Sequence, residues 1–435
     1  MKTGSDAVRD AFAEALGNGD EVGAAIALDV DGETVIDLWG GHRDPERTSP
    51  WTGDTIVNVF STTKIVTALA VLVLADRGTI DLDAPVATYW PEFAENGKDG
   101  ILVRHILGHT SGVSAWEQPI TITDVYDLPT STARLAGQAP WWTPGSAAGY
   151  HAVTQGHLLG EIIRRVDGRS LTRFVTEELA APLRADVQIG AREGDWHRTA
   201  PVIPPPPIQF DLAAIDTTGI GFRTMTGPTP DAELVNTPQW RQAEIGAANG
   251  HTNAKALVTL LRAIALGGTA DGVKVLSQPT IERIFDVQAD GPDLVNGAVM
   301  RWGIGFGLTP VATFPWLPDG KVCWWGGWGG SIAVIDPRPA SHLQLHPEQD
   351  GGRWSDRVRE CRTVPHRRLR RPVAVVPHRG PPVRTATPST FNPQPTRRLM
   401  AARRPVPARR PAVGDICPHT GRARLGYDRA RVLLE

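Results

Sequence analysis

The apolar residues of the chain recur at two spacings, and the spacing changes along its length. Residues 6–17 are amphipathic at helical spacing and stop at Gly17. The runs Ala24-Ala25-Ile26-Ala27-Leu28-Asp29-Val30 and Thr34-Val35-Ile36-Asp37-Leu38-Trp39 follow, joined by Asp31-Gly32. Two such runs around Asp-Gly predict a β-hairpin, because these two residues reach the left-handed conformations of a tight hairpin turn. Residues 55–60 read as extended and run into Ser61. Beyond it Ile65, Ala68, Leu69, Leu72 and Val73 recur at i, i+3, i+4, i+7 and i+8, a helix that Gly78 closes. Helical and loop segments alternate through 83–200, including a short helix at 103–107 and an amphipathic one with Leu158, Leu159, Ile162, Ile163 and Val166. A proline run at 204–207 marks an irregular crossing, 253–268 is an amphipathic helix ending at Gly267-Gly268, and short strands resume at 299–308 and 321–336.

This order predicts an α/β (α+β) fold. Residues 1–78 and 245–336 would form one discontinuous α/β lobe, with a mainly helical lobe, 79–244, inserted between them. From Arg338 onward neither spacing continues. Residues 337–435 hold 21 Arg, no Lys and 7 acidic residues, a balance of +14, against −16 for residues 1–336. The whole-chain charge of −2 is therefore an average over two unlike parts. The tail also holds 15 of the 37 prolines, in clusters such as Arg370-Arg371-Pro372, Arg403-Arg404-Pro405 and Arg409-Arg410-Pro411. That composition builds no packed core, so the tail is expected to be irregular. A basic tail can bind anions or phosphates, but few aromatics and no recognisable module argue against nucleic acid.

At 435 residues, 41% hydrophobic and 21% charged, the chain suits a two-lobed globular unit rather than a disordered one. No apolar run reaches the roughly 18–20 residues of a membrane-spanning helix, and the first residues lead into an amphipathic segment rather than a signal peptide's apolar stretch. Cys323, Cys361 and Cys417 are too far apart for a disulfide framework or a zinc site. A cytoplasmic protein that needs no metal or cofactor is the expectation.

Ser61-Thr62-Thr63-Lys64 stands where an extended segment becomes a helix. The serine then sits at a helix N-terminus, whose free N–H groups favour negative charge, and Lys64 lies one turn further on the same face. To act as a base near neutral pH the lysine must fall from ~10.4 to about 7–8, which burial can supply. With 13 Ser and 6 Lys in the chain, this spacing is expected by chance about 0.2 times. Gly149-Tyr150-His151 follows Trp141-Trp142-Thr143-Pro144-Gly145 and precedes a helix. A phenolate there, beside an ammonium, can take a serine proton, although by itself Tyr150, like His151, reads more readily as a structural residue. His109-Thr110-Ser111-Gly112 reads as a polar turn that holds backbone geometry. Trp324-Trp325-Gly326-Gly327-Trp328-Gly329-Gly330-Ser331 lies at a strand edge, where glycines permit close approach of a ligand and free N–H groups can hold an oxyanion. The tryptophans at 141, 142, 324, 325 and 328 would suit an apolar acyl or alcohol group.

Together these motifs resemble the serine β-lactamase and penicillin-binding-protein superfamily, in its class C-like branch and closest to the family VIII carboxylesterases. The resemblance covers residues 7–336 and includes 103–112, which read Val-Arg-His-Ile-Leu-Gly-His-Thr-Ser-Gly. It implies a β-lactamase/transpeptidase-like fold, an antiparallel sheet flanked by helices with an inserted helical lobe. It implies Ser61 as the acylated nucleophile, Lys64 and Tyr150 as the proton carriers, and an oxyanion site at Ser61 and Trp328 within the stretch Trp325, Gly326, Gly327, Trp328. Two positions depart from the family. Its Tyr-x-Asn ends in Ala152 here, and Trp325-Gly326-Gly327 replaces Lys-Thr-Gly, removing an amide and a cation that serve β-lactam substrates. The expected function is therefore a carboxylesterase acting on short or medium acyl esters, with a β-lactamase or D-Ala-D-Ala carboxypeptidase as alternative. A small-molecule ester is the expected partner.

The family's last central strand and closing helix do not appear after residue 336. With a suitable choice of codons, residues 342–351 read one base later give Thr-Phe-Ser-Tyr-Thr-Leu-Asn-Lys-Met, an alternating strand. The tail then reads as a frameshift product, and a degenerate, inactive product with an anion-binding tail is the expectation of another class.

Overall fold

The computed structural model describes residues 4–19, 21–204, 216–228, 231–338 and 371–379. Asp31 and Gly32, at φ 49° and 90°, turn strand β1 (Glu21–Val30) back onto β2 (Glu33–Gly41). Helix α1 (Gly4–Gly17) covers one face of this hairpin through Val8 and Phe12, which pack with Ala24, Ile26 and Ile36. The hairpin forms one edge of an antiparallel sheet with eight strands among the described residues, in the order β2-β1-β14-β13-β12-β11-β10-β9. The others are β9 (Ala289–Pro292), β10 (Val299–Trp302), β11 (Gly307–Leu308), β12 (Cys323–Gly326), β13 (Ile332–Asp336) and β14 (Arg371–Arg379). A smaller sheet places β3 (Ile56–Asn58) between β5 (Thr199–Ala200) and β6 (Gly250–Thr252), with β4 (Gln188–Ile189) beyond β6. The fold is that of the β-lactamase/transpeptidase group, as the motifs imply.

Helix α2 (Thr63–Asp76) is buried from Thr63 to Leu74 on all sides. The spacing of Ile65, Leu69 and Leu72 predicts one apolar stripe. Val66, Ala70 and Val71 extend it around the helix, and a helix apolar all round belongs inside a protein. It packs in one continuous core with α6 (Thr154–Asp167) and the helix Ala254–Ala265. The latter begins at Asn253, whose side chain accepts the Ala256 N–H, and it leads into Gly267 and Gly268 at φ 81° and 111°. Arg262 of this helix pairs with buried Asp29 of β1 and with Asp271 at 2.8 Å, fastening the hairpin to the core.

The tail departs from expectation at one place. The sequence reading leaves the sheet without its central strand, yet Arg371–Arg379 lies antiparallel between β1 and β13. The register aligns Val375 with both Ile26 and Ile332. The physical reason is backbone supply. Two neighbouring strands in mid-sheet need hydrogen-bond partners, and Val373-Ala374-Val375-Val376 is a short β-branched run that provides them. Its Arg- and Pro-rich flanks mask that run when composition alone is read. The stretch 342–351 and most of the proline crossing at 204–207 lie outside the described residues.

Gly156 in the first turn of α6 shows how tightly the helices meet. A Cβ there would overlap the backbone of Gly246 and Ala247, neither of which is the flexible end of a side chain. Gly156→Ala is expected to cost about 1–3 kcal/mol, read as a lower midpoint in thermal or urea unfolding.

Candidate active site

Ser61 stands on a sharp turn between β3 and α2. The residue before it, Phe60, has φ 43°, a left-handed conformation that a bulky side chain rarely adopts. Three bonds hold it there. Its N–H donates to Asn58 Oδ1 at 3.0 Å, and its carbonyl accepts the Thr63 N–H at 2.9 Å and the Thr63 hydroxyl at 2.5 Å. The turn leaves Ser61 partly exposed in a molecule whose neighbouring residues are buried.

Lys64 lies in the first turn of α2 and is 1% exposed. Its Nζ lies 3.2 Å from Ser61 Oγ and donates to the carbonyls of Ala152 at 2.7 Å and Ala247 at 2.9 Å. Among the described residues no carboxylate pairs with it, and burial pushes the amine well below its ordinary value. A neutral amine has two N–H groups and one lone pair. In that neutral form the two carbonyls would take both N–H groups and leave the lone pair for the serine hydroxyl; in the ammonium form the third N–H would donate to it. Tyr150 completes the trio, its hydroxyl donating to Ser61 Oγ at 2.6 Å. Its ring lies 4.8 Å from Lys64 Nζ, and burial pushes the phenol up. Burial thus drives both groups toward their neutral forms, a phenol beside an amine. The phenolate and ammonium expected from the sequence are the disfavoured pair.

The turn at 109–112 does hold backbone geometry. His109 Nδ1 accepts the His151 N–H at 3.1 Å, and the His109 carbonyl accepts the Gly149 N–H at 2.9 Å. His151 and Ser111 are 2.6 Å apart, Nε2 to Oγ, and both are fully buried. With His151 Nδ1 donating to the Gly149 carbonyl at 2.7 Å, its Nε2 is left as acceptor for the serine hydroxyl. Burial pushes His151 down to about 4, and pushes His109 well below its ordinary value.

The Trp-Gly-Gly stretch meets the serine turn from the other side. A Cβ on Gly327 would overlap the Val59 carbonyl and the Ser331 hydroxyl, so only glycine lets β12 end against the β3–α2 turn. Ser331 Oγ donates to the Val59 carbonyl at 2.8 Å and lies 2.9 Å from Thr62 Oγ1. Trp328 packs on Phe60, with ring centres 5.2 Å apart, which brings it beside Ser61. Trp325, 5.5 Å from the Tyr150 ring, faces the tyrosine with its side chain. Trp141 and Trp142 are not part of this surface. Trp141 lies under Arg223 at 3.8 Å and hydrogen-bonds Glu117, while Trp142 donates to the Ala147 carbonyl.

Ser61 and Tyr150 open onto a cavity of about 240 Å³. Its walls include Ile122, Val125, Leu234, Trp240, Met300 and Phe314, with the stretch from Trp324 to Trp328. Asp231 is the one charged residue of that wall among the described residues. Nothing in the spacing of 122–125 or 224–240 marks those residues as cavity wall. Among the described residues, no cluster of three His, Cys, Asp or Glu side chains is placed to hold a metal.

The family described as Beta-lactamase matches residues 8–340. The chain belongs to the beta-lactamase family. "Esterase/beta-lactamase LipL" of Mycobacterium tuberculosis is 35% identical over 328 residues, 72% of this chain and 74% of the relative. The crystal structure of a family VIII carboxylesterase is 34% identical, covers 87% of this chain and 92% of its own, and superposes with a TM-score of 0.73. A penicillin-binding-protein homologue from Caulobacter crescentus is 33% identical over the same shares, with a TM-score of 0.71. The family match stops close to the point where the charge of this beta-lactamase-family chain changes sign. Among its described residues no helix is long and apolar enough to cross a membrane.

His151 and His251, each pushed down to about 4 by burial, stay neutral in the fold. The unfolded chain takes up their protons below about 6.5, where the folded chain refuses them until about 4. Stability is therefore expected to fall as the pH drops from 6.5 to 4. Urea unfolding across that window measures it, and a flat profile would contradict the neutral buried histidines.

Proposed function

We propose that this chain is a serine carboxylesterase that cleaves esters of short or medium acyl chains through an acyl-enzyme on Ser61. The observation that carries the reading is the placement of Ser61 Oγ between the Tyr150 hydroxyl and the buried, unpaired Lys64 amine, at an apolar cavity. In the first step Ser61 Oγ bonds to the ester carbonyl carbon as its proton passes to Lys64 Nζ. The carbonyl oxygen gains the negative charge, and the N–H groups of Ser61 and Trp328 would bind it. On collapse the alcohol leaves with a proton delivered through Tyr150, which is replenished from Lys64. Water repeats the sequence on the acyl-enzyme and releases the acid. The names of the relatives, an esterase/beta-lactamase and a family VIII carboxylesterase, support the same chemistry.

A β-lactamase reading is favoured by the family itself and by the LipL name. The cavity wall weighs against it. A β-lactam carries a carboxylate, and a wall whose one charged group is Asp231 offers that anion repulsion and no cation. Trp325 stands where the family's cation would be. A cytoplasmic location belongs to the same proposal.

Purified full-length chain is expected to hydrolyse p-nitrophenyl butyrate and to leave a chromogenic cephalosporin essentially intact. Ser61→Ala should lower kcat on the ester by about a thousandfold or more. An alkyl phosphonate should add to the wild-type chain and not to Ser61→Ala, read by intact mass. Full esterase activity in Ser61→Ala would remove the nucleophile assignment.

A further inference from the structure

Tyr150 owes its place to a residue far away in the chain. Asp293, just after β9, is 2% exposed, and its Oδ1 accepts the backbone N–H groups of Tyr150 at 3.0 Å, Val295 at 2.9 Å and Asn296 at 3.2 Å. The next residue adds a second rung, with the Leu294 N–H donating to the Ala148 carbonyl at 2.8 Å. Among the described residues no Lys, Arg or His forms an ion pair with Asp293. Its Oδ2 is buried without a hydrogen bond, and the Trp302 indole approaches it without completing one. Burying a carboxylate without a counter-ion is costly, and an exposed Asn or Ser could cap the same turn. The location supplies the reason, since the oxygen that caps the turn also holds the backbone of the tyrosine that touches Ser61. Trp302, on the strand after the turn, lies parallel to the Tyr150 ring at 6.1 Å, and His109 packs against both, 5.1 Å from Tyr150 and 4.3 Å from Trp302.

We propose that Asp293 is a positioning residue for the reaction, fixing the Tyr150 backbone so that its hydroxyl stays on Ser61 Oγ. The inference rests on the esterase reading. Burial pushes the Asp293 carboxyl up, and the N–H groups of Tyr150, Val295 and Asn296 pull it back down; as a carboxylate it makes charge-assisted bonds, shorter and stronger than neutral ones, and holds the tyrosine more firmly than an amide would. Rotation of Tyr150 away from Ser61 loses the acid that protonates the leaving alcohol, a contribution of about a hundredfold or more.

The test uses full-length protein and ethyl butyrate, whose alcohol needs a proton to leave, with acid release followed by pH-stat and Ser61→Ala as the blank. Asp293→Ala is expected to lower kcat by about tenfold or more with KM within about threefold. Asp293→Asn keeps an acceptor oxygen and the shape, so it folds, and is expected to lower kcat by about threefold. In a Tyr150→Phe background both changes should have no further effect on kcat, because the group they position is gone. Asp293→Asn with wild-type kcat overturns the proposal, as does an equal loss with Tyr150 and with Phe at that position. If Asp293→Ala does not fold, Asp293→Asn decides alone. Activity surviving in Ser61→Ala overturns the nucleophile reading instead, so the two failures are distinct.

Discussion

The burial of one amine without a counter-ion is the constraint on which the rest of the site depends. Lys64 sits in the middle of the core because α2 is buried from end to end. Two main-chain carbonyls, of Ala152 and Ala247, meet it there, from segments 88 and 183 residues away in sequence. Carbonyl dipoles satisfy its N–H groups but carry no net charge. A carboxylate in either place would favour the ammonium and remove the base. The packing that brings the entry to α6 and the entry to β6 against α2 therefore also sets the surroundings of the amine beside Ser61. Gly156, pressed onto residues 246 and 247, belongs to the same arrangement, since any shift of Ala247 moves a partner of the amine.

The second determinant is the apolar packing around the side chains of the trio, beside which the buried Asp293 carboxyl, holding the Tyr150 N–H, is the acidic group among the described residues. Tyr150, Trp302, Trp325 and His109 form a continuous aromatic cluster, with centre distances between 4.3 and 6.3 Å. His109 joins it as a neutral ring. In such surroundings a charge that develops on a bound ester would be little screened by solvent, and N–H groups near it would act at full strength. The cluster also explains the fit of an indole at position 325. It fills the space beside the phenol and adds no charge that would make the tyrosine ionise. A lysine there would lower the tyrosine's pKa and offer a docking point to an anionic substrate, and the two effects would arrive together.

The parts of the site that were legible from the amino-acid order are those set by spacing within one segment. Ser61 and Lys64 share a helix face, Tyr150 sits at a helix entry, and Gly326 and Gly327 end a strand, so a reader of the sequence can name all of them. The hairpin at Asp31-Gly32 is legible for the same reason. Asp293 was not, because Asp with Asn296 and Gly297 reads as an ordinary turn, and the meeting with Tyr150 is made by tertiary packing. The lowering of Lys64 by burial was legible, whereas the protonation state of Tyr150 was not. A phenolate follows from proximity to an amine, but burial acts on both groups and reverses the preference. Trp141 and Trp142 failed in the other direction. Their motif placed them near the site, while a cation and a carbonyl claim their faces and their N–H groups.

The central strand carries the same lesson to the scale of the sheet. β1 and β13 each turn a row of backbone groups toward the gap between them, and Arg371–Arg379 pairs with both. Ladder hydrogen bonds are made by the main chain, so a position between two strands accepts almost any extended segment that has enough free N–H and C=O groups. Pro372 and Pro377 bring no N–H, which thins the ladder at both ends of the run. The four residues between, Val373 to Val376, keep theirs, and these are the ones aligned with Ala25 to Leu28 and their neighbours on β1. Since β13 pairs in turn with β12, and β12 ends in the Trp-Gly-Gly stretch at Ser61, the strand in that gap stands two hydrogen-bonded neighbours from Ser61. The occupancy of the gap is thus a condition of the site's geometry, and the bonds that fill it read extended backbone rather than side chains.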